Sequence, residues 1–487
     1  MRRRTVLQTG LATAGLAALG PWPAALAQEL TVPPPPGPPR PPTPVHTVDQ
    51  TLPNGLRVLV APRPGVALVS AVLLIRSGSE VDPPQRAGLA DLTATLLTRG
   101  SAKRSAPEIA RAAEALGGSL DGSAGWDRSR LAITVTPARL PAALQLLAEV
   151  ARQPRFAPAE LERARRQALD GLRVAWSEPG TLAQLVAARS LFGAGTYGAP
   201  RLGTPATLAR LTRADLTAFH ATWYRPDNAV LVLAGDLAPA DALALAARTL
   251  GDWRHADTIL PVPVRRAAVS TLPPVVVVDL PGAGQAGVVG ALPAVPRAAP
   301  DYFAGVVANA VLGGSSSARL ALEIRVRRGL TYDARSSLDA RRVAGLAVAA
   351  VQTNNPSAPE VLGLLRAEVA RLGQSAPEPA ELAARVAYLV GAYGRSLETT
   401  AGLAARIAEL ALQGIAIDQV NTAPALLQAV SAEAVRRFAA THWPAGALRV
   451  ANAGEAAQFL DSLRRAGPEV LVVPAAALDL EQPGLRK

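Results

Sequence analysis

No cysteine occurs among the 487 residues of this chain. Disulfides and thiolate-ligated metal centres are therefore excluded. A lipid anchor on an N-terminal cysteine is excluded as well. Histidine is almost as scarce. His46, His220, His255 and His442 stand far apart, and no two have the spacing of a metal-binding pair. Lysine is reduced to Lys103 and Lys487, so the formal charge of +12 is carried by arginine. Aromatic residues make up only 4%, and no basic run is interleaved with them. That pattern reads as arginine spread over solvated faces and speaks against a nucleic-acid partner. Beyond the N-terminus no apolar run approaches the length of a membrane span, so no stable span is expected in the mature chain.

Hydrophobic residues account for 49% of the chain, and its length suits two domains of about 200 residues each. Residues 1–27 read as a signal peptide. Arg2-Arg3-Arg4 heads a weakly apolar stretch, and Ala25-Leu26-Ala27 supplies a small-residue cleavage site. Arg3-Arg4-Thr5-Val6-Leu7-Gln8 has the form of a twin-arginine export signal, with an ordinary Sec signal as the other route. Either route places the mature chain in the periplasm. Residues 28–47 form a proline-rich linker, to be read as a stiff spacer or as a docking peptide for a proline-reading domain.

The rest is duplicated. Phe219, Thr222, Tyr224 and Gly235 return as Phe438, Thr441, Trp443 and Gly454, at a constant offset of 219. The same offset relates Val58 to Val277 and Pro62 to Pro281. A repeat of this length is a whole domain rather than a solenoid unit. The expected division is a first domain over 48–255, a linker over 256–274, a second domain over 275–465 and a tail over 466–487. Each half mixes strands and helices. Residues 55–61 and 66–77 pattern as paired strands. Ser105 and Glu108 form a capping box opening a helix that Gly117-Gly118 closes, and Leu131, Ile133 and Val135 alternate as in a half-buried strand. The expected class is α+β: two duplicated α/β-sandwich domains, each a mainly antiparallel sheet with helices packed on one face.

One segment narrows the reading further. The frame of Gly88-Leu-Ala-Asp-Leu-Thr-Ala-Thr-Leu-Leu-Thr-Arg-Gly100 resembles the zinc helix of the pitrilysin/insulinase family of metallopeptidases. In that family two histidines one helical turn apart grip zinc, and a glutamate between them activates water. Asp91, Ala94 and Thr95 stand at those positions here. The family's third ligand, a glutamate on a later helix, falls at Asp170 or Gly171. The opening strand 52–58, the turn 76–80, the passage 219–235 and the segments 312–320 and 323–332 extend the resemblance over roughly residues 48–465. Arg325 and Tyr332, seven residues apart with Gly329-Leu330 before the tyrosine, match the family's substrate-contacting pair.

The resemblance implies a chain with no catalytic residues and no metal of its own, zinc being expected only in a partner. Its implied role is the substrate-binding subunit of a heterodimeric zinc metallopeptidase, like the inactive partner of the mitochondrial processing peptidase. A catalytic zinc-motif subunit of the same family and a peptide substrate would be its partners. A stand-alone peptide-binding or scaffold protein on a degenerate peptidase fold is the alternative. Gly313-Gly-Ser-Ser-Ser317 would line a substrate chamber or simply join two helices.

Overall fold

A computed structural model describes residues 43–254, 258–263, 270–467 and 469–486. The signal peptide, most of the proline-rich linker and parts of the 256–274 linker lie outside the described residues. Residues 44–487 form one compact unit containing two six-stranded sheets.

The first half carries β1 (Val48–Thr51), β2 (Arg57–Pro62), β3 (Val69–Ile75), α1 (Leu89–Leu97), α2 (Ala106–Ala115), β4 (Asp121–Ala124) and β5 (Ser129–Val135). It continues with α3 (Leu140–Arg152), α4 (Pro158–Ser177), α5 (Pro179–Phe192), α6 (Pro205–Arg210), α7 (Arg213–Trp223), β6 (Ala229–Gly235) and α8 (Pro239–Leu250). The second half has β7 (Val275–Asp279), β8 (Ala286–Ala294), α9 (Tyr302–Leu312), a π-helix (Ala321–Arg327), β9 (Ala334–Ala340) and β10 (Gly345–Thr353). Then follow α10 (Ala358–Gln374), α11 (Pro379–Ser396), α12 (Thr400–Leu412), α13 (Gln419–Gln428), α14 (Ala432–His442), β11 (Arg449–Gly454), α15 (Leu460–Arg465) and β12 (Val470–Pro474).

The sheet orders are β1-β2-β6-β3-β5-β4 and β12-β7-β11-β8-β10-β9. Position for position these are the same sheet, which establishes the duplication structurally. The outermost strand beside β2 and β7 is the exception. β1 precedes its half and runs antiparallel to β2, whereas β12 comes from the C-terminus and runs parallel to β7. Residues 470–474, within the segment set apart as a tail by sequence, are therefore a strand of the second sheet. Their Val-Leu-Val-Val run makes β12, and Leu478, Leu480 and Leu485 behind it are buried.

Two pairings of the repeat, Val58 with Val277 and Pro62 with Pro281, need correction. Pro62 lies opposite Gly235, but it is Asp279, not Pro281, that lies opposite Gly454. At the opening strand the equivalence is offset by 217, not 219. A slip of two residues restores every side chain to the same face, so the apolar pattern does not betray it.

Each sheet buries both faces. Alternate residues of the first sheet, such as Val58, Val60, Leu73, Ile133 and Leu231, meet helices of the same half. This is the helical face the sequence predicts. The opposite face, with Leu59, Val72, Leu74, Val230 and Val232, is covered by Leu403, Ala404 and Ile407 of α12, from the other half. The arrangement is reciprocal. Leu182, Ala183, Val186 and Ala187 of α5 pack on Val276, Val278, Val289 and Ala451 of the second sheet. The helices preceding α5 and α12 both open on Pro-Ala-Glu-Leu, at 158–161 and 379–382, so the exchanged helices are themselves duplicates. Gly287 lets α5 approach, since a Cβ there would sit 2.5 Å from the Pro179 carbonyl oxygen. Burial on both faces explains why β3 and β6 are buried at every position and, Ser70 apart, apolar throughout instead of alternating.

Candidate functional site: a closed zinc-helix position and an exposed Arg/Tyr pair

The helix expected to carry zinc ligands in active relatives is α1. Gly88, at φ +94°, turns the chain into it, and the half-buried Asp82 carboxylate accepts hydrogen bonds from the backbone N–H groups of Gly88 (3.1 Å) and Ala90 (2.9 Å). Burial holds the Asp82 carboxyl well above the usual carboxylate range, against these two hydrogen bonds. On the helix itself, Asp91 is ion-paired to Arg201 at 2.9 Å, and Arg201 also donates to the Ala124 carbonyl. Burial raises the Asp91 carboxyl, and Arg201 draws it back. Ala94 is fully buried, and edge strand β4 packs so closely that a Cβ on Gly122 would lie 2.5 Å from the Ala94 carbonyl oxygen. Thr95 is half-buried.

Asp170 does not join this group. It lies exposed on α4, ion-paired to Arg173 at 2.6 Å, while Leu172 faces the core and Gly171 borders open space. Asp91 and Asp170 are thus each engaged by a different arginine. Among the described residues no three His, Asp or Glu side chains are grouped as a metal site.

Arg325 and Tyr332 do come together. The Arg325 guanidinium carbon lies 5.4 Å from the Tyr332 ring centroid, and Tyr332 is 89% exposed. Local sequence fixes this geometry. Gly329, at φ +64°, reverses the chain after the π-helix, where a side chain would be strained. Thr331 donates to the Gln352 carbonyl at 2.6 Å and Thr353 to the Leu330 carbonyl at 2.6 Å, pinning the segment before β9 onto β10. The neighbouring cations are neutralised: Glu323 pairs with Arg327 (2.8 Å) and Arg328 (3.1 Å). Arg325 has no carboxylate partner among the described residues, unlike Arg327 and Arg328 beside it. Exposed Leu322 and Val326 add apolar surface on the same helix.

The Gly313–Ser317 loop joins α9 to the segment entering the π-helix. It is held from behind: the Arg385 guanidinium donates to the hydroxyls of Ser315 and Ser317, each at 2.8 Å, and Arg319 pairs bidentately with Glu381 at 2.9 and 2.7 Å. Both arginines are buried.

Sequence reasoning missed a latch between the halves. The turn joining β9 to β10 reaches the first half. There the Arg342 backbone N–H donates to Asp127 (2.9 Å), and so does the buried Tyr197 hydroxyl (2.7 Å). Arg341 stacks over Trp126 and Tyr197 at 4.3 and 4.8 Å. No spacing rule links residues so distant in the chain. Glu80 adjoins this latch. Burial, then the charge of Asp127, pushes its carboxyl up to about 8, against Arg342 and the Gly78 N–H. The unfolded chain releases this proton near 4.5 but the folded chain holds it to about 8, so stability contributed by the protonated form is lost as pH rises through that window. Each tenfold displacement in acidity is worth about 1.4 kcal/mol, giving a loss on the order of a few kcal/mol. Denaturant melts from pH 5 to 9 are expected to show this decline, and Glu80→Gln is expected to flatten it. An unchanged slope in the variant would count against the assignment.

Comparison with known proteins agrees with this architecture. The family model for insulinase (peptidase family M16) matches residues 57–204, and that for the peptidase M16 inactive domain matches 210–389. Relatives include uncharacterized zinc proteases of Mycobacterium leprae (28% identity over 59% of this chain and 65% of the relative) and Mycobacterium tuberculosis (30%, 59% and 66%). The match therefore spans just under two thirds of the length of these relatives. A Streptomyces coelicolor zinc protease matches at 26% over 73% of this chain and 78% of its own. Among solved structures, a peptidase M16 inactive domain from Pseudomonas fluorescens superposes with a TM-score of 0.78 at 26% identity, covering 84% of this chain and 98% of the other. A Helicobacter pylori protease shares the fold at a TM-score of 0.81 and 18% identity, over 85% of this chain and 100% of the other. The chain belongs to the insulinase, or M16, peptidase family. Within it this is an inactive-type, peptidase-like member. Among the described residues no helix is long and apolar enough to cross a membrane.

Proposed function

We propose that this chain is the non-catalytic, substrate-binding subunit of an exported two-chain zinc peptidase that degrades or processes peptides. The observation that carries the reading is the contrast between the two halves. The zinc-helix positions hold an arginine-paired aspartate, a buried alanine and a threonine, whereas Arg325 is unpaired and set beside an exposed Tyr332. A guanidinium and a phenol can both donate hydrogen bonds to a peptide carbonyl, and neither donor is occupied by an acidic neighbour. The catalytic chain supplies zinc and the base, and this chain supplies substrate contacts. Export to the periplasm, by the twin-arginine route, belongs to the same proposal and rests on the N-terminal sequence.

The purified chain alone is expected to hold no stoichiometric zinc and to cleave no peptide, because zinc needs a closed set of suitable ligands and hydrolysis needs a base. Metal analysis together with co-purification beside a zinc-motif relative from the same cell tests the proposal. One tightly held zinc per chain with chelator-sensitive proteolysis would overturn it. Failure to co-elute with any zinc-motif chain would favour a stand-alone peptide-binding scaffold.

A further inference from the structure

A small groove lies between the first sheet and the helix it receives from the other half. Val72 and Leu74 of β3 form part of its floor, and Arg406 and Glu409 of α12 line its wall. Arg130, opposite Leu74 on β5, and Arg128, in the turn leading into that strand, complete it. Its volume is about 230 Å³. That falls below the range of roughly 300–1,000 Å³ usual for drug-sized ligands, so its occupant is compact.

Charge in the groove is unbalanced. Three guanidiniums from two segments, the entry to β5 and α12, line it, against the single carboxylate of Glu409. Glu409 is itself shared, lying 3.0 Å from Arg406 and 3.9 Å from Arg297. Arg130 makes one side-chain hydrogen bond, from Nε to the neutral Ser123 hydroxyl at 3.2 Å. The half-buried Arg128 guanidinium has no partner among the described residues. Some enclosed arginines have a carboxylate partner, Arg225 in Asp227, Arg319 in Glu381 and Arg341 in Asp339, whereas Arg189 and Arg385 donate to carbonyl and hydroxyl oxygens instead. What marks this groove is that three guanidiniums share one enclosed space with one carboxylate. Half-buried guanidiniums without counter-charge create a positive field that low-dielectric walls concentrate, and their forked donors fit the oxygens of carboxylate and phosphate groups.

We infer that this groove is a binding site for a compact oxyanion, held by Arg128, Arg130 and Arg406. Phosphate and small carboxylates present the same acceptor oxygens, and the two sources are separated by experiment. The site stands independently of the subunit proposal, because none of its residues belongs to the zinc helix or the Arg325/Tyr332 pair. A bound anion would bridge the first sheet to α12 and so fasten the two halves together.

The test is titration calorimetry on the full mature chain at constant ionic strength, with inorganic phosphate in one arm and succinate in the other. Saturable one-site binding of either ion, with a raised Tm, is the expected result, and the arm that saturates identifies the source. Arg128→Gln is the first variant, since its side chain makes no hydrogen bond that folding depends on. It should weaken binding by about tenfold, the cost of a lost charge-assisted hydrogen bond. Arg128→Gln combined with Arg130→Gln should abolish binding, while Arg173→Gln, at a distant exposed pair, should leave it unchanged. No saturable heat with either ion, or equal affinity in wild type and Arg128→Gln, would overturn the assignment.

Discussion

Replacing Arg325 with alanine, or Tyr332 with phenylalanine, is expected to lower turnover of the proposed two-chain peptidase by about a hundred- to thousandfold, the cost of about 2.7–4 kcal/mol for losing one donor to a developing oxyanion. The effect depends on geometry seen in the free chain. Gly329, Thr331 and Thr353 fix the segment, so the donors are positioned before substrate arrives. Both side chains are exposed in the isolated chain, where water competes for them. Closure by a catalytic partner would exclude that water and strengthen each hydrogen bond. Exposure also makes the test clean. Surface substitutions usually change stability by no more than about 0.5 kcal/mol, so folding and assembly should survive. Steady-state kinetics on the co-purified pair, with size-exclusion elution as the control, decides the matter. Loss in kcat at unchanged elution is expected. Unaltered kcat in both variants would remove the pair from catalysis, and loss of co-elution would make it an assembly contact instead.

Much of the fold was legible in the sequence because local rules and tertiary structure agree there. The Ser105–Glu108 capping box opens α2, with the Ser105 N–H donating to Glu108 at 2.8 Å. Leu131, Ile133 and Val135 point inward from β5 as their alternation requires. The pairing of Phe219 with Phe438 and of Gly235 with Gly454 carries the duplication in the sequence itself. What escaped was relational. Apolar positions on α5 and α12 show that these helices are buried but not which sheet buries them. Pairing of Arg201 with Asp91 and stacking of Arg341 on Trp126 join residues with no sequence signal between them. At the candidate site the Arg325/Tyr332 spacing was visible, whereas the isolation of Arg325 from its arginine neighbours was not. That isolation follows from Glu323 engaging Arg327 and Arg328 on the turning backbone of a π-helix.

The exchanged helices carry the second large expectation. Ile407→Ala should destabilise the protein by about 2–5 kcal/mol, the range for emptying a fully enclosed aliphatic position. Ile407 is 0% exposed and packs in the cluster with Leu59, Val72, Leu74 and Val232 of the first sheet, although it belongs to the second half of the chain. The loss should therefore not remain local. α12 cannot leave the first sheet without exposing that sheet's apolar face, and α5 binds the second sheet in the same way. The two halves then behave as one cooperative unit despite their duplicated origin. Hydrogen exchange followed by mass spectrometry can read both sheets at once, using peptides that contain β3 and β8. In the Ile407→Ala protein both peptides should lose protection together, at the same denaturant concentration. Loss confined to β3, with β8 retaining wild-type protection, would show that the halves unfold independently and that the exchange of helices adds contact without coupling.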